Sequence, residues 1–503
     1  MADFAAAIQQ AYATEGAAIE LGRGVHEGAL AAGAAVRLPL ATMNRHGLIA
    51  GATGTGKTKT LQVIAEQLSA QGVPVFAADV KGDLLGLAQP AEAGGPAEKR
   101  MGELGLPSSP TGFPVEFLSL GGIGPGVPIR ATVSDFGPQL LAKVLGANET
   151  QESSLTLVFH YADSAGLPLV DLPDLRALLG FLSSKDGKAE LEGIGGLSKA
   201  TVGVLLRSLV GLETGGGTEF FGEPQLDIAD LMRVAPDGRG VVSCLELPAV
   251  QDRPALFSTV LMWLVAELFE QLPEVGDLEK PKLVFFLDEA HLLFAGATGA
   301  FVESVTRTVR LIRSKGVGVF FVTQAPTDLP ESVLGQLGSR VQHALRAFTP
   351  KDAKDLKAVV STYPTSDFYD VGELLTSMGT GEAAVTLLSE NGVPTPVVHT
   401  RMLAPASTMA PIPDVEARAT ASPLFGRYGT RVDAHSAREL LAARMEAAAA
   451  PARVPEPRAR RRRAPEPSAG TADTIGGFLT SRQGKALQRE VMRGVFGMLR
   501  KRL

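Results

Sequence analysis

The residues of this 503-residue chain best suited to chemistry are Gly51-Ala52-Thr53-Gly54-Thr55-Gly56-Lys57-Thr58. They satisfy the pattern G-x-x-x-x-G-K-[ST] at every fixed position. Three glycines let the backbone curl until its N–H groups face one point, which suits an anion with a helix dipole behind the loop. In such a loop the Lys57 ammonium reaches the β- and γ-phosphates, and the Thr58 hydroxyl offers an oxygen to Mg²⁺. The expected nucleotide-binding set is therefore Gly51 through Thr58 with Lys59 beside it, and the expected cofactors are ATP and Mg²⁺. A chance glycine-rich turn is the alternative, and the flanks argue against it. His46 to Ala50 form a short apolar run of buried-strand type, and Leu61, Val63, Ile64, Ala65 and Leu68 recur at helical spacing.

A second constellation is Lys282-Leu283-Val284-Phe285-Phe286-Leu287-Asp288-Glu289-Ala290-His291. An apolar run ending in Asp-Glu describes a buried strand whose tip delivers two carboxylates. Asp288 is expected to hold Mg²⁺ through water, and Glu289 to polarise the attacking water. Such runs occur by chance; joined to a phosphate loop they gain weight. His291 either couples the site to a ligand or is structural. Val317–Thr323 reads as another apolar strand, ended by Gln324, a polar side chain able to sense a γ-phosphate or orient water. This order is the layout of additional-strand P-loop ATPases, with the acidic strand beside the phosphate-loop strand or one removed from it.

Three further groups are candidates. The strand Val73–Val80 ends in Asp79-Val80, with Lys81 and Asp83 just after it, at the end where open α/β sheets bind ligands. A solvated turn explains them equally well. Arg307, Arg310 and Arg313 share one face of a helix over Phe301–Ser314, as a subunit or nucleic-acid contact or as an exposed salt-bridged face. Arg340 sits at the mouth of a strand within 337–345.

These residues need a scaffold. Short apolar runs alternating with amphipathic segments argue for α/β architecture around a mainly parallel sheet. Residues 1–45 hold a short helix and two strands, too little for a domain, and are expected at a sheet edge. The core is expected over 46–133 and 236–403, interrupted by a helical insertion at 134–235. Residues 84–112 read as a surface loop. A Pro/Ala/Arg-rich, partly disordered linker follows over 404–475, and a basic amphipathic helix over 476–503. That helix could meet nucleic acid, an anionic membrane surface, its own ATPase body or a protein partner.

Composition narrows the classes. The net charge of −6 hides 13 Lys+Arg against four Asp+Glu from Pro451 onward, leaving 35 against 50 elsewhere. A lone cysteine, Cys244, excludes an internal disulfide framework and a Cys-cluster metal site. No run approaches the roughly 18–20 apolar residues of a membrane helix. The start lacks the basic and apolar regions of a signal peptide, so the expected location is cytoplasmic.

Gly51–Thr58, Ala78–Leu84, Leu287–His291 and Arg310–Val317 together resemble the YjgR-type bacterial branch of the HerA-like ATPases, related to the FtsK and conjugative-ATPase superfamily. The likeness covers roughly 40–403. It implies a RecA-like core, self-association into a ring, a hexamer by analogy, and translocation along double-stranded DNA. It carries the roles of Lys57, Thr58, Asp288 and Glu289 onto matching positions, with Gln324 as sensor. Arg340 is the first match for an arginine acting on a neighbour's nucleotide, and Arg313 the second. Archaeal relatives carry a β-barrel ahead of the phosphate loop, which 45 residues cannot hold. A nucleotide-gated scaffold or membrane-surface ATPase is the alternative to a DNA motor.

Overall fold

Strands whose residues are apolar throughout belong in the middle of a parallel sheet, where both faces are covered. In the computed structural model, which describes residues 2–449 except 192, 277, 295–298 and 434, that is where they lie. The twelve strands are β1 (Ala18–His26), β2 (Ala29–Pro39), β3 (Gly47–Ala50), β4 (Val75–Asp79), β5 (Val115–Leu120) and β6 (Val127–Ile129), then β7 (Val242–Glu246), β8 (Leu283–Leu287), β9 (Val317–Thr323), β10 (Ser339–His343), β11 (Glu382–Thr386) and β12 (Val398–Met402). They form one sheet in the order β2-β1-β12-β11-β10-β3-β9-β8-β4-β7-β5-β6. From β10 to β6 every pairing is parallel. β10, β3, β9, β8 and β4 are the RecA-like centre. β9 and β8 stand between the phosphate-loop strand β3 and the next strand in sequence, β4, which is the additional-strand arrangement expected. The acidic strand β8 is one removed from β3.

The other end of the sheet is antiparallel. β11 and β12 pair as the expected hairpin-like couple, and β12 pairs with β1. β1 and β2 meet at a two-residue turn in which Glu27 and Gly28 both have positive φ, 51° and 74°. Such turns match the twist of the strands they join. The amino-terminal residues are thus an edge addition.

Alternation divides each central strand between two cores. Leu48, Phe76, Phe285 and Phe321 face one side, packed under the helices of 133–212 and under Pro254–Gln271, which carries Trp263. Ile49, Val75, Phe286 and Val322 face the other, against Leu61, Ile64 and Leu68 of the helix Lys57–Ala70. The helical insertion includes Glu149–Ala165, Leu172–Ser183 and Lys199–Leu212, and its Leu155, Leu178 and Leu209 join the first core. Among the described residues, no helix is long and apolar enough to cross a membrane.

Two expectations need correction. Residues 84–112 are more than a loop: Pro96–Glu103 is a helix with proline in its first turn, and Leu84, Leu87, Ala97 and Leu104 are buried. The stretch 404–449, expected as the start of a linker, packs on the body. Glu66 accepts from the N–H groups of Ala406 (2.8 Å) and Ser407 (2.9 Å), and Gln62 Nε2 donates to Thr408 O at 2.9 Å. Helices Val415–Thr420, Phe425–Tyr428 and Ala437–Ala449 follow, with Ala419, Leu424, Tyr428 and Leu441 buried in the first core. Pro- and Ala-rich composition reports low chain entropy as readily as disorder; here buried side chains of another helix supply the polar partners. The remainder of the predicted linker and the predicted helix 476–503 lie outside the described residues.

Candidate functional site

The phosphate loop leaves β3 at Ala50 and enters the helix Lys57–Ala70. Gly51, Gly54 and Gly56 have φ of 153°, 77° and 117°, values that favour glycine. Gly51 has a second reason. A Cβ there would stand 2.5 Å from the Cβ of His343. The loop is pinned on both sides: Gly51 N–H donates to Thr323 O (3.3 Å), Ala52 N–H to Ala344 O (2.9 Å), and Gly381 N–H to Thr55 O (2.9 Å). Inside it, Thr55 Oγ1 and Lys57 Nζ both donate to Ala52 O, at 2.7 and 3.2 Å. The first helical N–H groups have no acceptor within the helix, so they remain for an anion.

Lys57 is buried to 8% exposure. Burial pulls its pKa down, and the negative charges of Glu289 and then Asp288 oppose this. Lys59 turns its side chain elsewhere. Its Nζ donates to Met409 O at 3.0 Å, so its side chain is turned to the 406–409 strap, and only its backbone N–H is left for a nucleotide.

Asp288 and Glu289 follow β8, and both are buried. Burial, then the charges of Glu289 and Asp79, push the Asp288 carboxyl up to about 7. An acid so placed gains from a cation. The oxygen donors at hand, the Thr58 hydroxyl and the Asp288 carboxyl, are the hard ligands that Mg²⁺ prefers. The pair fits that ion. Glu289 has φ 46°, one of three non-glycine residues among those described with positive φ. Burial pushes its pKa up, but the hydrogen bond and charge of Lys81, helped by His291 and Lys57, outweigh this and hold it low. His291 Nδ1 lies 3.3 Å from Glu289 Oε2 without the alignment of a hydrogen bond.

Asp79 is neither a ligand nor a solvated turn residue. It is fully buried, and its carboxylate accepts from the N–H groups of Lys81 (3.2 Å), Gly82 (2.8 Å), Asp83 (3.2 Å) and Leu84 (2.8 Å). It fixes the turn that carries Lys81, whose ammonium pairs with Glu289 Oε1.

Gln324 follows β9 and is exposed. It lines a cavity of about 510 Å³ with Ala52, Thr53, Asp328, Arg346 and Phe348. Asp328 Oδ2 holds the turn there, accepting from Thr323 Oγ1 and Ala325 N–H at 2.9 and 2.8 Å.

The two candidate arginines both lie away from the phosphate loop of their own chain. Arg340 is the second residue of β10, paired with Leu48, and the loop departs from the far end of β3. Its guanidinium donates to Thr362 Oγ1 at 2.7 Å and lies over the Tyr363 ring. It is therefore engaged within its own chain, away from the carboxyl edge. Arg313 begins a turn before β9, at the amino end of the sheet, and is exposed. Six strand residues separate that end from Thr323, roughly 20 Å at strand rise. Arg346, not singled out from sequence, lines the same cavity as Ala52 and Thr53 of the phosphate loop.

His343 was also missed. It is fully buried, its Nδ1 2.8 Å from Glu382 O and its Nε2 2.9 Å from Thr60 Oγ1. A carbonyl only accepts, so Nδ1 carries the hydrogen and Nε2 accepts from Thr60. Burial lowers its pKa to about 4, which keeps it neutral. It ties the helix after the loop to the turn beside the loop.

The family described as helicase HerA-like, C-terminal, matches residues 26–502. A probable helicase of Methanocaldococcus jannaschii is 28% identical over 158 residues, 29% of this chain and 28% of that protein. The match thus spans little more than a quarter of that relative's length. Among solved structures, the unbound bacterial conjugative coupling protein TrwBdeltaN70 is 16% identical with a TM-score of 0.50, over 79% of this chain and 91% of that one. The plasmid coupling protein TrwB in complex with a non-hydrolysable GTP analogue is also 16% identical, TM-score 0.50, over 78% and 95%. At such identity the likeness is one of fold.

Proposed function

This chain belongs to the helicase HerA-like C-terminal family, and we propose that it is a Mg²⁺-dependent ATP hydrolase that assembles into a ring and moves along duplex DNA. One observation carries the reading. Gly51–Thr58, Asp288–Glu289 and Gln324 meet at the carboxyl ends of three neighbouring strands, β3, β8 and β9. In this reading the loop N–H groups and Lys57 bind the phosphates, while Thr58 and Asp288 hold Mg²⁺. Bound there, the ion would offset the charge of the phosphates. Glu289 orients and polarises the attacking water, and Gln324 reports on the γ-phosphate.

Self-association enters through the arginines. Lys57 is the only cation within the loop, and P-loop enzymes commonly add an arginine worth about 10³–10⁵ in rate. With Arg340 engaged by Thr362, Arg313 is our assignment for the residue offered to a neighbouring subunit, and a hexameric ring is the proposed assembly. A likeness to a coupling protein seen with a GTP analogue supports a nucleoside triphosphate; ATP over GTP is our choice, checked by comparing turnover of the two.

DNA as the track is tested by ATPase rates with and without duplex DNA. Stimulation of several-fold is expected, and between 50 and 200 mM salt it should weaken by roughly 10³ in DNA affinity if about six phosphates are contacted. No response to DNA, together with loss of anionic-vesicle binding on deletion of 451–503, would replace the motor with a nucleotide-gated scaffold at a membrane surface in the cytoplasm.

A further inference from the structure

Glu289 is buried, yet the group it is paired with is not. The Lys81 side chain is 44% exposed and the Glu289 side chain 6%. Lys81 is nonetheless held in place, because Asp79 fixes the backbone of its turn through four N–H bonds. The pairing occupies Glu289 Oε1, one of the two oxygens that can accept from an attacking water. The geometry points to Lys81 as a latch on Glu289, closed while the site holds no nucleotide and opened when Mg–nucleotide enters.

The two side chains can part at unequal cost. Lys81 already reaches solvent and can complete its hydration by swinging outward. Glu289 cannot reach water in the same way, and it exchanges one cationic partner for another within the site, with Lys57 already close enough to lower its pKa. Its backbone is poised for a change: φ of 46° is a conformation that side-chain-bearing residues rarely hold, and such residues gather at switching sites. Oε2 has no hydrogen-bond partner, so Lys81 is the one hydrogen-bonded hold on this carboxylate among the described residues. The alternative is a rim ion pair that stays closed through the cycle.

The inference rests on Glu289 being the water-orienting carboxylate, and its test does not require turnover. A latch that must open on binding weakens binding, so removing it tightens binding by the same factor. Lys81→Met should bind a fluorescent, non-hydrolysable ATP analogue with Mg²⁺ about three- to tenfold more tightly than wild type, and Lys81→Arg, which keeps the charge, within about twofold of wild type. In the Glu289→Gln background, Lys81→Met should make less than a twofold difference, because the charge partner is already gone. A double-mutant cycle on thermal stability should show coupling between Lys81 and Glu289 without nucleotide and none with the analogue bound. Unchanged or weaker binding by Lys81→Met, or coupling of equal size in both states, would overturn the latch. Failure of the catalytic assignment reads differently: Glu289→Gln would then hydrolyse ATP at the wild-type rate.

Discussion

Glu246 gives the sharpest check on the electrostatics of this sheet edge. It closes β7 at 3% exposure, in register with Asp79 of β4, and its Oε1 has no hydrogen-bond partner. Burial, and then the Asp79 charge, raise its pKa from 4.5 to about 9. Burial raises the Asp79 carboxyl as well, but the N–H groups around it oppose this, whereas Glu246 Oε1 has no donor, so the proton belongs to Glu246. The unfolded chain releases this proton near pH 4.5, whereas the folded chain keeps it to about pH 9. Between those values the folded state binds one proton more, so stability falls as pH rises, by about 1.4 kcal/mol per pH unit from this group. From pH 6 to pH 8 the loss is about 3 kcal/mol.

Glu246→Gln resembles the neutral acid in shape and cannot ionise. It should be more stable than wild type above about pH 5, with the gap widening by about 3 kcal/mol between pH 6 and pH 8. Chemical denaturation of both proteins at the two pH values measures this, and the difference of differences cancels every group they share. Trp263 is the sole tryptophan and is 1% exposed, so its fluorescence reports the core under the helical face. A gap constant to within about 0.5 kcal/mol, the usual limit of additivity, would refute the argument.

Lys57→Ala should abolish Mg–ATP binding in a calorimetric titration, whereas Glu289→Gln should bind ATP and hydrolyse it about 10²-fold more slowly, in line with a lost positioned base. Tyr428→Ala empties a fully buried site and removes the bonds of its hydroxyl to Asp230 Oδ2 (2.6 Å) and Asp227 N–H (3.0 Å). It should cost about 3–5 kcal/mol by denaturation, and a change near zero would mean that 404–449 is a linker after all. Arg313→Ala and Lys57→Ala, each inactive alone, should regain part of the activity in mixed oligomers. Arg346→Ala should not complement Lys57→Ala, because Arg346 shares a cavity with its own chain's loop; recovery with Arg346 and none with Arg313 would reverse the two roles.

What the sequence made legible was local. The phosphate loop is eight consecutive residues, and the acidic strand is an apolar run with its carboxylates attached, so pattern and chemistry coincide within a few residues. The cores follow from alternation along runs such as Leu283–Leu287. The contacts that finish the site are not local. Lys81 and Glu289 are 208 residues apart, Thr60 and His343 283, and Glu66 and Ser407 341. No spacing rule spans such distances, so Ser407 read as part of a linker and His343 as nothing in particular.

Arg340 is a different case, because strand polarity alone says where it lies. Ligands gather at the carboxyl ends of parallel strands. Once 337–345 is taken as a strand beside β3, the direction of the chain fixes which of its ends faces the phosphate loop. Arg340 lies toward the amino end, and the far end runs into Ala344, whose carbonyl accepts from Ala52, and then Arg346. The same polarity argument places Arg313, ahead of β9, at the amino edge. An arginine there serves a nucleotide only by reaching another copy's carboxyl edge, which is why the mixing experiment with Lys57→Ala separates Arg313 from Arg346.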